Sequence, residues 1–128
     1  MKLTNGEIYN AKEPLQQLVS TKLPIRISHA LAQLASMLDG QLLVIESERE
    51  KLIKHYGEPS ETNPNQIEVT PENISAFSVE VGELMQIEVD VAIEPVEIKL
   101  DSLPEDFSVE PVLLMALRRF VHVTQIDP

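Results

Sequence analysis

Cysteine and tryptophan are both missing from this chain, and aromatic residues make up only 4% of it. Without cysteine there are no disulfides, no thiolate metal sites and no thiol nucleophile, a composition that suits the cytoplasm. Glycine is scarce, with four in 128 residues. None of the four stands in a cluster ahead of a helical pattern, which excludes the phosphate-cradling loops of nucleotide-binding folds. No serine sits in a GxSxG setting, so a nucleophile elbow is excluded as well. Long hydrophobic runs are also lacking. No apolar stretch approaches the roughly 20 residues of a membrane span. Met1-Lys2-Leu3-Thr4 leads straight into polar sequence, so no signal peptide is expected. Positive charge is the last deficit: ten Lys and Arg stand against 21 Asp and Glu, a formal net charge of −11. Binding a nucleic-acid backbone needs clustered cations. Here Lys51, Lys54 and His55 are dispersed and Arg118-Arg119 is the sole adjacent basic pair. Neither direct nucleic-acid binding nor a membrane association is expected.

What is present is enough for one domain, residues 1–128, with 43% hydrophobic residues to build its core. The chain is organised around one stretch, Ser28 to Tyr56. Leu31, Leu34, Leu38, Leu42 and Ile45, then Leu52 and Tyr56, recur at steps of three and four, the seam of a long amphipathic helix. Ser28 is its expected N-cap and Gly57 its C′ residue, with Pro59 blocking continuation. At about 1.5 Å per residue this helix is roughly 40 Å long. Gly40 is its weak point, where a kink or break is open. A stripe of such length is expected to leave part of its surface for another subunit.

Before it, Thr4-Asn5-Gly6-Glu7 has the spacing of a capping box, followed by Ile8, Ala11, Leu15 and Leu18 at helical steps. Pro14 interrupts this pattern, so the first helix is expected to kink or to split near Glu13. Ile25-Arg26-Ile27 reads as an extended connector into an antiparallel helical hairpin. Residues 58–65 (EPSETNPN) read as a mobile surface loop, and Gln66 to Val69 as a short strand. Thr70-Pro71-Glu72 reads as a helix start, with Ile74, Phe77, Val81 and Leu84 as the buried stripe of a third helix.

From Ile87 the period changes to two, with Val89, Val91 and Ile93 facing one side, and it flips phase at Pro95 before Val96, Ile98 and Leu100. An edge strand bulged or kinked at Pro95 accounts for the flip. Ser108 is expected to cap a fourth helix whose core face is Val109, Val112, Leu113, Ala116, Leu117 and Phe120, and Val121-His122-Val123 adds a last strand. The fold class is α+β: a long-helix αα-hairpin, two further short helices and a small antiparallel sheet.

Candidate chemistry is thin. His29, His55 and His122 lack the spacing of a metal pair on one helix. Glu88, Asp90, Glu94 and Glu97 line the alternating stretch, and such alternation is what the wet face of a half-buried sheet provides. These four are the possible partner-binding acidic face. No catalytic, cofactor or metal site is expected, and the chain is read as a non-enzyme.

Four stretches carry a resemblance: LTNGEIYNAKEPLQQL, EREKLIKHYGE, ELMQIEVDV and PVLLMAL. In this order and spacing the chain resembles a family of small phage and prophage proteins of Gram-positive bacteria, from whose usual pattern Pro14 departs. The resemblance implies a phage-encoded accessory protein in the host cytoplasm, an assembly helper or an inhibitor of a host protein. The expected partners are another protein, host or phage, and further copies of the chain. Two alternatives stand beside this reading. One is an acidic, nucleic-acid-mimicking inhibitor of a host defence protein, presenting Glu88, Asp90, Glu94 and Glu97 to a basic channel. The other is a small-ligand binder or hydrolase using His122 or the acidic strand.

Overall fold

The computed structural model describes residues 1–105 and 107–124. Its frame is a helical hairpin of α1 (Asn5–Ser20) and α2 (Ile25–Tyr56). The capping box at the start of α1 is formed: Thr4 Oγ1 accepts from the Glu7 N–H at 3.1 Å, and Glu7 Oε1 accepts from the Thr4 N–H at 3.0 Å. Pro14 does not split α1, which is helical from Asn5 to Ser20. An interior proline costs about 3 kcal/mol. Burying each of Ile8, Leu15 and Leu18 contributes about 1.5–3 kcal/mol, and all three are fully buried along one face of this helix. Hydrophobic burial therefore outweighs the proline.

Helix α2 begins three residues before its expected cap. The Ile27 and Ser28 N–H groups both donate to the Pro24 carbonyl at 3.0 Å, so Ile25-Arg26-Ile27 is helical rather than extended. Ile27 lies four residues before Leu31 and extends the buried stripe of Leu31, Leu34, Leu38, Leu42 and Ile45 by one turn. Gly40 does not interrupt the helix. Gly57 does end it, though in extended conformation (φ −102°) rather than left-handed. Its lack of a side chain has another cause: a Cβ there would stand 2.5 Å from both the Ile53 carbonyl oxygen and Ile67 Cγ2.

That close approach comes from a hairpin, β2 (Gly57–Pro59) with β3 (Ile67–Val69), folded against the end of α2. The segment 58–65 thus begins as strand. Its loop is internally bonded: the Ser60 N–H donates to Gln66 O at 2.8 Å, and the buried Ser60 hydroxyl accepts from the Thr62 N–H at 3.3 Å. Thr70-Pro71-Glu72 forms a turn instead of a helix start, and α3 runs from Ile74 to Gln86. The neighbouring α2 end explains the shift, because Asn73 Nδ2 donates to the Tyr56 carbonyl at 3.1 Å and so caps α2 rather than α3.

The stretch expected as one bulged strand is two strands in different ladders. β4 (Glu88–Asp90) pairs antiparallel with β1 (Lys2–Thr4), whereas β5 (Val96–Lys99) pairs parallel with β6 (Val121–Thr124). Pro95 stands where the chain crosses from one to the other, which is the cause of the phase flip. With the β2–β3 hairpin the described residues hold three two-stranded ladders, two antiparallel and one parallel, set against the helices in an α+β fold. Between β5 and β6 the chain makes a 3-10 turn, Leu100–Ser102, and a short helix α4, Pro111–Ala116. Ser108 does not cap α4. Pro111 holds the preceding Glu110 extended (ψ 135°), so the helix starts at the proline. Of the core face expected for this helix only Leu117 and Phe120 are buried, beyond its end, while Val112 is 74% exposed. One core joins Leu3 of β1 and the inner stripes of α1 and α2 to Leu84, Ile93, Ile98 and Phe120.

Candidate functional site

The four acidic residues do not form one continuous surface row. Glu88 and Asp90 stand two residues apart on one face of β4, Glu97 is on β5 in another ladder, and Glu94 is on the connector; all four are exposed. Two cationic groups stand beside Asp90. Asp90 Oδ1 lies 3.3 Å from the Met1 ammonium, and Asp90 is directly across the ladder from Lys2. Glu97 is opposite His122. The histidines stay apart: His29 is in the first turns of α2, His55 packs edge-on to Tyr56 at its end (4.7 Å), and His122 is on β6. Among the described residues no group of three or more His, Asp or Glu is arranged to hold a metal ion. Among them, too, no helix is long and apolar enough to cross a membrane.

Two polar junctions escaped the sequence reading. Asn5 is 2% exposed and fully engaged: its Nδ2 donates to Leu84 O at 3.0 Å, its Oδ1 accepts from Gln41 Nε2 at 2.9 Å, and its backbone N–H donates to Ile87 O at 2.9 Å. One side chain thereby ties α1, α2 and the end of α3. Arg119, the second of the adjacent basic pair, clasps the opposite end of the chain. Its guanidinium donates to Glu7 Oε2 at 2.6 Å and to Lys2 O at 3.0 Å. The Thr4 N–H and then Arg119 hold the Glu7 carboxyl below its ordinary range. These are structural junctions, since the side chains in them bond to partners within the chain.

One group of apolar residues not covered from within lies on α2. Its inner stripe, from Leu31 to Ile45, is covered by the chain itself, so that stripe is not the surface left for another subunit. The outer face is. Met37, Leu43 and Val44 are 56%, 68% and 51% exposed. Steps of three and four place Ser36 and Met37 one turn before Gly40, and Leu43 and Val44 one turn after it. The result is three exposed apolar side chains, with Ser36, ringed around a spot with no side chain. Nothing within the protein calls for glycine there, because a Cβ on Gly40 would meet no described atom within 4 Å. A glycine inside a helix costs about 1 kcal/mol relative to alanine. The sequence signal for this face was visible as apolar residues on the polar side of the helix, but the stronger inner stripe masked it.

No family model matches the chain, and neither a curated protein nor a solved structure gives a significant match.

Proposed function

We propose that this chain is a non-enzymatic accessory protein that works by binding other proteins, and that its first partner is a second copy of itself across the outer face of α2. The observation that carries the reading is the ring of Met37, Leu43 and Val44 around Gly40. Exposed apolar groups gathered at one place on a soluble surface favour association, and a bare helical position lets a second helix approach closely. The ring is also self-complementary. When an antiparallel copy crosses at Gly40, Met37 meets Leu43 and Ser36 meets Val44, the reciprocal pairing that a two-fold interface requires. The setting, an accessory factor of a phage or prophage in the host cytoplasm, rests on the resemblance of the four sequence stretches. Assembly of phage components and inhibition of a host protein both use this kind of binding surface.

Light scattering across a concentration series tests the proposal. A dimer is expected, and Leu43→Glu should convert it to a monomer with an unchanged far-ultraviolet spectrum. A parent chain that stays monomeric up to millimolar concentration removes the pairing.

A further inference from the structure

A second feature, independent of the pairing of α2, lies beside the β5–β6 ladder. It is a cavity of about 160 Å³. Leu18 of α1 and Ile98 of β5, both buried, form part of its lining. Leu103, Phe107 and Val109 line it from the stretch before α4, and Leu114 lines it from α4 itself. Leu100 and Val123 also border it and are 47% and 40% exposed, so the opening lies on their side.

Every one of these side chains is apolar. A water molecule in such a space needs two to four polar partners, and this lining offers no side chain that hydrogen-bonds. Native interiors keep few voids larger than a water molecule, and an unfilled void lowers stability in proportion to its volume. A dry cavity of about 150 Å³ lined by Leu, Ile and Phe is known to accept a benzene-sized guest. The walls here suit such an entry. Phe107 and Val109 belong to a stretch outside helix and strand, which adjusts around a guest at less cost than a helix face.

We propose that this cavity is a binding site for a small, uncharged apolar group, an aromatic ring or a short alkyl chain, entering between Leu100 and Val123. The site goes beyond the protein-binding reading and uses neither His122 nor the acidic strand residues.

Methyl-detected NMR on the full chain tests it, with benzene as the ring probe and 1-hexanol as the chain probe. Either probe should move the methyl signals of Leu18, Leu103, Leu114 and Val123 saturably and leave those of Leu43 and Val44 in place; which probe binds more tightly tells ring from chain. Leu114→Phe and Val123→Phe fill the space from different elements and should weaken binding at least about tenfold. Val112→Phe, on the same helix as Leu114 but facing solvent, should bind as the parent does. Melting curves identify which filled variants fold. The proposal is overturned if the lining methyls of the parent do not shift at saturating probe, or if a folded filled variant binds as tightly as the parent.

Discussion

The α1–α2 hairpin and the carboxyl-terminal stretch from Ile87 to Thr124 are built on opposite plans. In the hairpin, two continuous helices bury a residue every three or four positions, and four residues, Thr21 to Pro24, turn one into the other. Among the described residues of the carboxyl-terminal stretch no helix or strand exceeds six residues, and its strands find partners far from their sequence neighbours: β4 pairs with β1 at the other end of the chain, and β6 pairs with β5 across the whole of α4. Order in the hairpin is local and periodic. Order in the other region is non-local and depends on the hairpin being there to pack against. The difference teaches where stability resides, and it can be probed at both regions and at the contact between them.

The largest effect belongs to the hairpin. Leu38, at the middle of the inner stripe, is 1% exposed, and Leu38→Ala is expected to cost about 2–5 kcal/mol, the range for emptying a buried leucine site. Glu48, ten residues along the same helix, is half exposed and paired with Lys51 at 3.0 Å. Glu48→Ala should stay within about 0.5 kcal/mol. Urea melts followed by circular dichroism decide the contrast. If the two variants melt together, the hairpin is not the stabilising centre.

The same contrast decides how much was legible in the sequence. The hairpin was, because helical periodicity is written in neighbouring residues: the inner stripe of α2 and the capping box of α1 were both read from spacing alone. Its errors arose where one local rule was outweighed by burial. Pro14 ought to break α1, yet it sits between buried Ala11 and buried Leu15 and the helix continues. In the carboxyl-terminal stretch the alternation of Val89, Val91, Val96 and Ile98 was legible as strand, but the partners were not. Nothing near Glu97 signals that His122 lies across from it in a parallel ladder. Pro111 was the readable clue to the true start of α4, and Ser108 as a cap was the more conspicuous one. The outer ring around Gly40 was legible only as three apolar residues on a polar face. Asn5 carried no signal at all, since its value lies in partners from α2 and from the end of α3.

An intermediate effect is expected at the junction of the two regions, where Glu7 of α1 meets Arg119. Thr4→Ala removes the hydroxyl that caps α1 and should cost about 1 kcal/mol. The acid sensitivity of the junction follows from Glu7. Its carboxyl is held below the ordinary value of 4.5, first by the Thr4 N–H and then by Arg119. A carboxyl more acidic in the folded chain than in the unfolded one adds stability at every pH above the unfolded value. That stability is lost as pH falls through the folded value. Melting temperature should therefore drop below about pH 4.5, and Glu7→Gln should flatten the part of the drop that Glu7 causes. An acid limb of unchanged steepness in that variant means the clasp is not coupled to folding.

The smallest effect is the one that separates the two faces of α2. Gly40 has free space around it within the single chain, so in an isolated molecule Gly40→Ala relieves a glycine inside a helix and should raise stability by about 0.4–1 kcal/mol. Across a paired interface the same methyl group has the opposite consequence. A second α2 crossing at Gly40 packs its own side chains into the ring of Met37, Leu43 and Val44, and a methyl at the centre holds the two helices apart. The expected result depends on concentration for this reason. At low concentration, where the chain is monomeric, Gly40→Ala melts higher than the parent. At high concentration the advantage shrinks or reverses, because the parent gains stability from association and the variant gains less. Thermal melts of both proteins over a hundredfold range of concentration read this directly. Parallel curves, with the variant higher throughout, mean that no helix packs at Gly40 and remove the pairing across the outer face of α2.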